Sequence, residues 1–125
     1  MPTNQFPHGH NIADHPGGTP RVEDIQTTSV LFEQFSDANC LRIFWLLCHC
    51  AVCGTKLATM VDMTPPDVAH YLRLLRSDHL LMSRREGKEV YYRAADSIRA
   101  QALHHMIEQM MAISCPHAKK GSVHE

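Results

Sequence analysis

Cys48, Cys50 and Cys53 are the residues of this chain best equipped for chemistry. Cys50 and Cys53 have a spacing that one metal ion can bridge, particularly where a loop enters a helix. A thiol in the first turn of a helix also has its pKa lowered, which favours the ligating thiolate. Cys48 lies two residues from Cys50 and joins such a set only if its helix ends there; otherwise it reads, like Cys40, as a small core residue. Cys115 offers one further thiol near the C-terminus. Soft thiolates select thiophilic ions: arsenite, Cd(II), Pb(II), Cu(I), or Zn(II) if nitrogen ligands join. The same thiols could instead work as a redox switch, released by oxidant and restored by reductant.

Imidazole and carboxylate make a second candidate. His104 and Glu108 are spaced i, i+4 and His105 and Glu108 i, i+3, so they can share one helix face, a donor set suited to Zn(II), Co(II) or Ni(II). His8 and His10, with His15 beyond, lie in a segment holding four prolines and three glycines. Residues 1–20 are expected to form a mobile arm, from which these histidines could lend ligands.

The elements that must position these groups follow from periodicity and caps. Val22, Ile25, Phe32 and Phe35 predict a helix from about Arg21 to Phe35. Ser36-Asp37 then caps a helix from Ala38 to Leu47 that is apolar nearly all round, which suits a core element or a subunit contact. A short helix follows, from Val52 or Thr55 to Val61, and Asp62-Met63 makes a turn. Thr64 caps a fourth helix with Pro65 at its first position and Asp67 near its positive end. Val68, Leu72 and Leu75 form its buried stripe. Leu80 to Arg93 reads as a hairpin with its tip at Glu86-Gly87-Lys88. Asp96-Ser97 opens a last helix to about Ile113, striped by Leu103, Met106, Ile107, Met110 and Ile113. The expected architecture is mainly α with a small β-hairpin: a winged helix-turn-helix of about five helices plus a two-stranded wing, dimeric, occupying residues 21–114 and followed by a tail over 115–125.

At 125 residues the chain suits a single domain. Its formal charge of −1 announces no nucleic-acid partner by itself. The distribution does: residues 70–93 carry six basic and three acidic side chains, leaving six basic and ten acidic elsewhere. One face can therefore be an electrostatic footprint on a weakly acidic body. No apolar run reaches the roughly 18 residues of a membrane span, and no secretory signal is evident. An odd count of five cysteines argues against a disulfide framework and suits a cytoplasmic protein. A Cys-x-x-Cys oxidoreductase would need a βαβ pattern that is missing, and neither a catalytic triad nor a phosphate loop is present, so no enzyme and no small-molecule substrate is expected.

Three motifs carry a family likeness: Ser36-Asp37-Ala38-Asn39-Cys40-Leu41-Arg42-Ile43, Val68-Ala69-His70-Tyr71-Leu72-Arg73-Leu74-Leu75, and Ser83-Arg84-Arg85-Glu86-Gly87-Lys88-Glu89-Val90-Tyr91-Tyr92. From about Val22 to Ile113 the chain resembles the ArsR/SmtB family of winged-helix, metal-sensing transcriptional repressors. The resemblance implies a homodimer built on the first and last helices, operator binding in the metal-free form, and release when a metal or metalloid ion binds. It also implies that a last-helix site would be built from both copies of that helix. Cys115 is either a further ligand reaching across the dimer or an idle terminal thiol. Ala69 stands where the family often has serine. Cys53 matches the first member of a Cys-x-Cys pair, and Thr55 replaces the second. On this reading Arg84, Arg85 and Lys88 contact phosphates, while Thr64, His70, Tyr71 and Arg73 reach base edges or flanking phosphates of double-stranded operator DNA.

Overall fold

The computed structural model describes residues 17–115 and 117. His8, His10 and His15, and the tail beyond 117, lie outside the described residues. The chain divides into two compact units between Ser36 and Asp37.

The first unit contains α1 (Val22–Phe35), with Glu23 and Asp24 in its first turn, where the helix dipole favours acids. None of its residues is buried: Val22 is 69% exposed, Ile25 57% and Phe32 52%.

The second unit holds everything else: α2 (Ala38–His49), β1 (Val52–Cys53), α3 (Gly54–Val61), α4 (Pro65–Ser77), β2 (Leu81–Glu86), β3 (Glu89–Ala94) and α5 (Ile98–Ser114). Asp37 caps α2 as expected, its Oδ1 accepting from the backbone N–H of Asn39 at 2.8 Å and of Cys40 at 3.3 Å. The helix buries Cys40, Ile43, Phe44 and Leu47, at i, i+3, i+4 and i+7. It runs two residues past the expected end at Leu47, through Cys48 to His49. Cys50 breaks it with an extended backbone, while its N–H (3.0 Å) and Sγ (3.3 Å) both donate to the Leu46 carbonyl. Cys48 therefore lies within α2, so its condition for joining Cys50 and Cys53 is not met.

The two-stranded wing is present but gains a neighbour. β2 and β3 pair antiparallel, and β1 pairs antiparallel with the other side of β3, Val52 opposite Tyr92 and Cys53 opposite Tyr91. The sheet order is β1-β3-β2. Two residues show no alternation, so β1 could not be read from sequence; only its pairing makes it a strand. The wing turns through Gly87-Lys88, with Gly87 at φ +65°, a conformation that suits glycine in a two-residue hairpin loop.

The helix-turn-helix is fixed by local chemistry. Asp62 ends α3 in the left-handed conformation, and Arg42 of α2 donates to the Val61 and Met60 carbonyls at 3.3 and 3.4 Å, satisfying that helix end. Thr64 Oγ1 accepts from the Asp67 N–H at 3.3 Å, with Pro65 opening α4. Ser97 caps α5 by accepting from Ala100 N at 3.1 Å. The core gathers Ile43, Phe44 and Leu47 of α2, Leu57 of α3, Val68 and Leu75 of α4, Leu80, and Leu103 and Ile107 of α5. The rest of the α5 stripe is uncovered in the chain: Met106 is 37% exposed, Met110 54% and Ile113 73%. No helix among the described residues is long and apolar enough to cross a membrane.

Candidate nucleic-acid interface and metal centre

Burial of Val68, Leu72 and Leu75 turns His70 and Arg73 outward from α4, three residues apart on one exposed face, below Thr64 at the helix start. Beside this face the wing supplies cations. Register places Arg85 opposite Val90 and Arg84 opposite Tyr91, so the two guanidiniums leave opposite faces of the hairpin. Arg84 is paired with Glu86, and Arg85 Nη1 bonds the Gly87 carbonyl at 3.4 Å. Lys88 is exposed at the tip. Between α4 and the wing runs a cleft of about 320 Å³ lined by Val68, Leu72, Arg73, Arg76, Val90 and Tyr92.

Tyr71 differs from its neighbours. Its hydroxyl donates to Asp37 Oδ2 at 2.7 Å, tying the exposed side of α4 to the cap of α2. The hydrogen bond from Tyr71 holds the Asp37 carboxyl below its usual range, and the same bond raises the Tyr71 pKa. The Asp37 contribution is thus present at neutral pH and lost as pH falls through its lowered pKa. The Tyr71 contribution is present below about pH 10 and lost as pH rises through the raised pKa. Tyr71→Phe should return the Asp37 carboxyl toward its ordinary titration range, read by NMR, and cost about 1 kcal/mol or less because the pair is solvent-accessible. An unmoved Asp37 titration would remove the bond from solution.

Of the cysteines, Cys40 is buried and Cys48 half-buried, and both are pushed up to about 11, chiefly by burial, so they stay thiols at neutral pH. Glu108 adds to the shift of Cys48. Cys50 caps the C-terminal end of α2, Cys53 precedes α3 with its Sγ 3.4 Å from Thr55 Oγ1, and Cys115 is exposed after α5. These thiols do not form a three-ligand cluster among the described residues.

The cluster that does form combines expected and unexpected residues. His49 of α2 joins His104 and Glu108 of α5, with potential ligand atoms all within 4.8 Å of one another. Glu108 Oε2 lies 3.4 Å from His49 Nε2 and 3.3 Å from His104 Nε2, and it accepts a 2.8 Å hydrogen bond from Trp45 Nε1. That indole bond is the main cause of a carboxyl pKa below the usual range, so Glu108 is ionised at neutral pH. His104 Nε2 is sealed from solvent and, despite its distance, not aligned for a hydrogen bond with any partner. Beside the carboxylate, Trp45 is tilted against His49 at 4.3 Å between ring centroids, and His49 meets His104 edge-on at 5.0 Å. His105, one residue along, is exposed and outside the group. Sequence reasoning missed His49. Its only local signal is the i, i+4 spacing from Trp45, which parallels the spacing of His104 and Glu108.

An α2–α5 scaffold, a capped recognition-type helix and a basic hairpin define a winged helix-turn-helix protein. Comparisons agree. No family model matches the chain, but it is 33% identical over 76 residues to the transcriptional repressor SmtB homolog of Synechocystis sp., covering 61% of this chain and 58% of that one. It is 37% identical over 73 residues to the arsenical resistance operon repressor of Escherichia coli, covering 58% and 62%. The chain therefore spans less than two thirds of the length of these curated relatives. Among solved structures, the antimony-specific transcriptional repressor AntR superposes with TM-score 0.67 at 24% identity, covering 86% of this chain and 91% of AntR. A homodimeric winged helix-turn-helix domain from Mycobacterium bovis superposes with TM-score 0.63 at 22% identity, covering 80% and 94%. In sequence the chain is similar to these repressors, and it shares the winged helix-turn-helix fold of AntR and the M. bovis domain.

Proposed function

We propose that the chain is a homodimeric, cytoplasmic transcriptional repressor that binds operator DNA through α4 and the wing, and releases it when a thiophilic metal or metalloid ion binds at Cys50 and Cys53. The relatives named above as repressors, one of an arsenical resistance operon, support this function over an enzymatic one. The observation that carries the mechanism is β1. Cys53 lies in a strand whose backbone pairs with β3 of the wing, and the next residue starts α3, which packs on α4. Drawing Cys50 and Cys53 onto one ion would therefore pull at the wing and at the helix behind the recognition helix together. Exposed apolar side chains on α1 and, separately, on α5 support a homodimer, as does the homodimeric state of the M. bovis domain. A dimer reads an inverted repeat with half-sites about one or two DNA turns apart.

An oxidation switch on the same cysteines is the weaker reading, because the curated relatives named above include an arsenical resistance operon repressor and a SmtB homolog.

The test is fluorescence anisotropy of a labelled duplex selected from a random-sequence pool by the ion-free protein. Arsenite, Cd(II) and Zn(II) are titrated in turn, with peroxide as a separate arm. One of the thiophilic ions should weaken binding by on the order of 5–150-fold, the usual range of such couplings, and Cys50→Ser with Cys53→Ser should abolish that response while leaving ion-free binding intact. No response to any ion, with release by peroxide, would transfer the mechanism to thiol oxidation.

A further inference from the structure

We propose that His49, His104 and Glu108 form a second ion site, for a borderline divalent cation such as Zn(II) or Co(II), that ties α2 to α5 within one chain. It uses none of the cysteines of the preceding section and does not depend on that reading.

The geometry is the first argument. Zinc binds imidazole nitrogen and carboxylate oxygen at about 2.0–2.2 Å, so in a tetrahedral site neighbouring ligand atoms stand roughly 3.3–3.5 Å apart. Two edges of the cluster, His49 Nε2 to Glu108 Oε2 and His104 Nε2 to Glu108 Oε2, measure 3.4 and 3.3 Å, and the third lies within 4.8 Å. The residues stand close to ligating positions with no large backbone change required.

The second argument is the unsatisfied nitrogen. A buried imidazole nitrogen without a partner costs free energy, and His104 Nε2 is one of few such side-chain atoms among the described residues. It lies 3.3 Å from Glu108 Oε2, where a cation would satisfy nitrogen and oxygen at once. The third argument is support from the next layer. Trp45 donates to Glu108 and so fixes the carboxylate, the kind of outer hydrogen bond that orients a metal ligand. The His49 and Glu108 side chains are each 45% exposed, so an ion can reach them from solvent, and a cleft of about 320 Å³ has His49 and His104, though not Glu108, in its lining. Three protein ligands leave a fourth position for water. Because all three come from one chain, the site fills at one ion per chain.

The donor set decides the ion class. Two nitrogens and one oxygen suit Zn(II), Co(II) or Ni(II).

The test uses the full chain carrying Cys50→Ser and Cys53→Ser, titrated with Co(II) and read by d–d absorption and by the emission of its single tryptophan. One Co(II) per chain should bind with no thiolate-to-metal charge-transfer band, and Trp45 emission should change as its acceptor is recruited. His49→Ala should weaken binding by on the order of 10–100-fold or more. Glu108→Gln should do the same while keeping an oxygen for the Trp45 hydrogen bond, which separates loss of a ligand from loss of the fold. Unchanged affinity in both variants, a thiolate charge-transfer band, or an equal loss in His105→Ala would overturn the site. No operator is involved, so failure here leaves the repressor reading standing, and the reverse also holds.

Discussion

Phe44→Ala should destabilise the chain by about 3–5 kcal/mol, a large share of the ~5–15 kcal/mol that keeps a domain folded. Phe44 is 0% exposed, on the helix that packs against β3, α3, α4 and α5. Removing its ring leaves a cavity in a fully buried position of a helix that packs against four other elements, so filling it would require several of them to shift. The measurement is urea unfolding followed by the single tryptophan, which lies on the same helix one residue away. The midpoint should fall with little change in slope. A cost below about 1 kcal/mol would mean that the centre of the core lies elsewhere.

The second large effect concerns DNA. Each phosphate contact removed should flatten the dependence of log K on log salt by about 0.9. Arg85→Ala with Lys88→Ala should therefore flatten the slope by about two units per wing and weaken binding to every sequence alike. Arg84→Ala should have less effect, since Glu86 already neutralises that guanidinium and it leaves the opposite face of the hairpin. Binding measured from low to moderate salt on selected and scrambled duplexes would check this. An unchanged slope in the double variant would remove the wing from the footprint.

Much of the fold was legible because its boundaries are written in local chemistry. Asp37, Thr64-Pro65 and Ser97 announce three helix starts by residue type, and each side chain makes the backbone contact that its position implies. The hairpin was legible for the same reason, from Gly87 between charged and β-branched or aromatic residues. The limits were equally physical. β1 is too short to carry a period, and α2 outran its expected end because nothing in Cys48-His49 opposes a helix. On α5 the stripe was read correctly as a stripe, but periodicity does not say what covers it: Leu103 and Ile107 face the core, whereas Met110 and Ile113 remain exposed in the single chain.

The candidate site was half legible. The spacing of His104 and Glu108 placed them on one face of a helix, and the structure brings them together. His105 had the same standing in sequence, since i, i+3 and i, i+4 are both neighbours on a helix; only the packing of α5 distinguishes them. His49 is 55 residues from His104 in the chain and could not be found from spacing at all. It enters because α2 persists to its last turn and α5 packs across it.

The sheet order has a consequence for solubility. With β3 in the middle, β2 is left as an edge strand of six residues among the described residues, a template on which a second copy could stack through its backbone. Its sequence, Leu-Met-Ser-Arg-Arg-Glu, is charged along the outer half. The charges proposed to hold DNA would then also keep neighbouring copies from zipping together edge to edge, so neutralising this strand should leave a protein that both loosens its grip on DNA and aggregates.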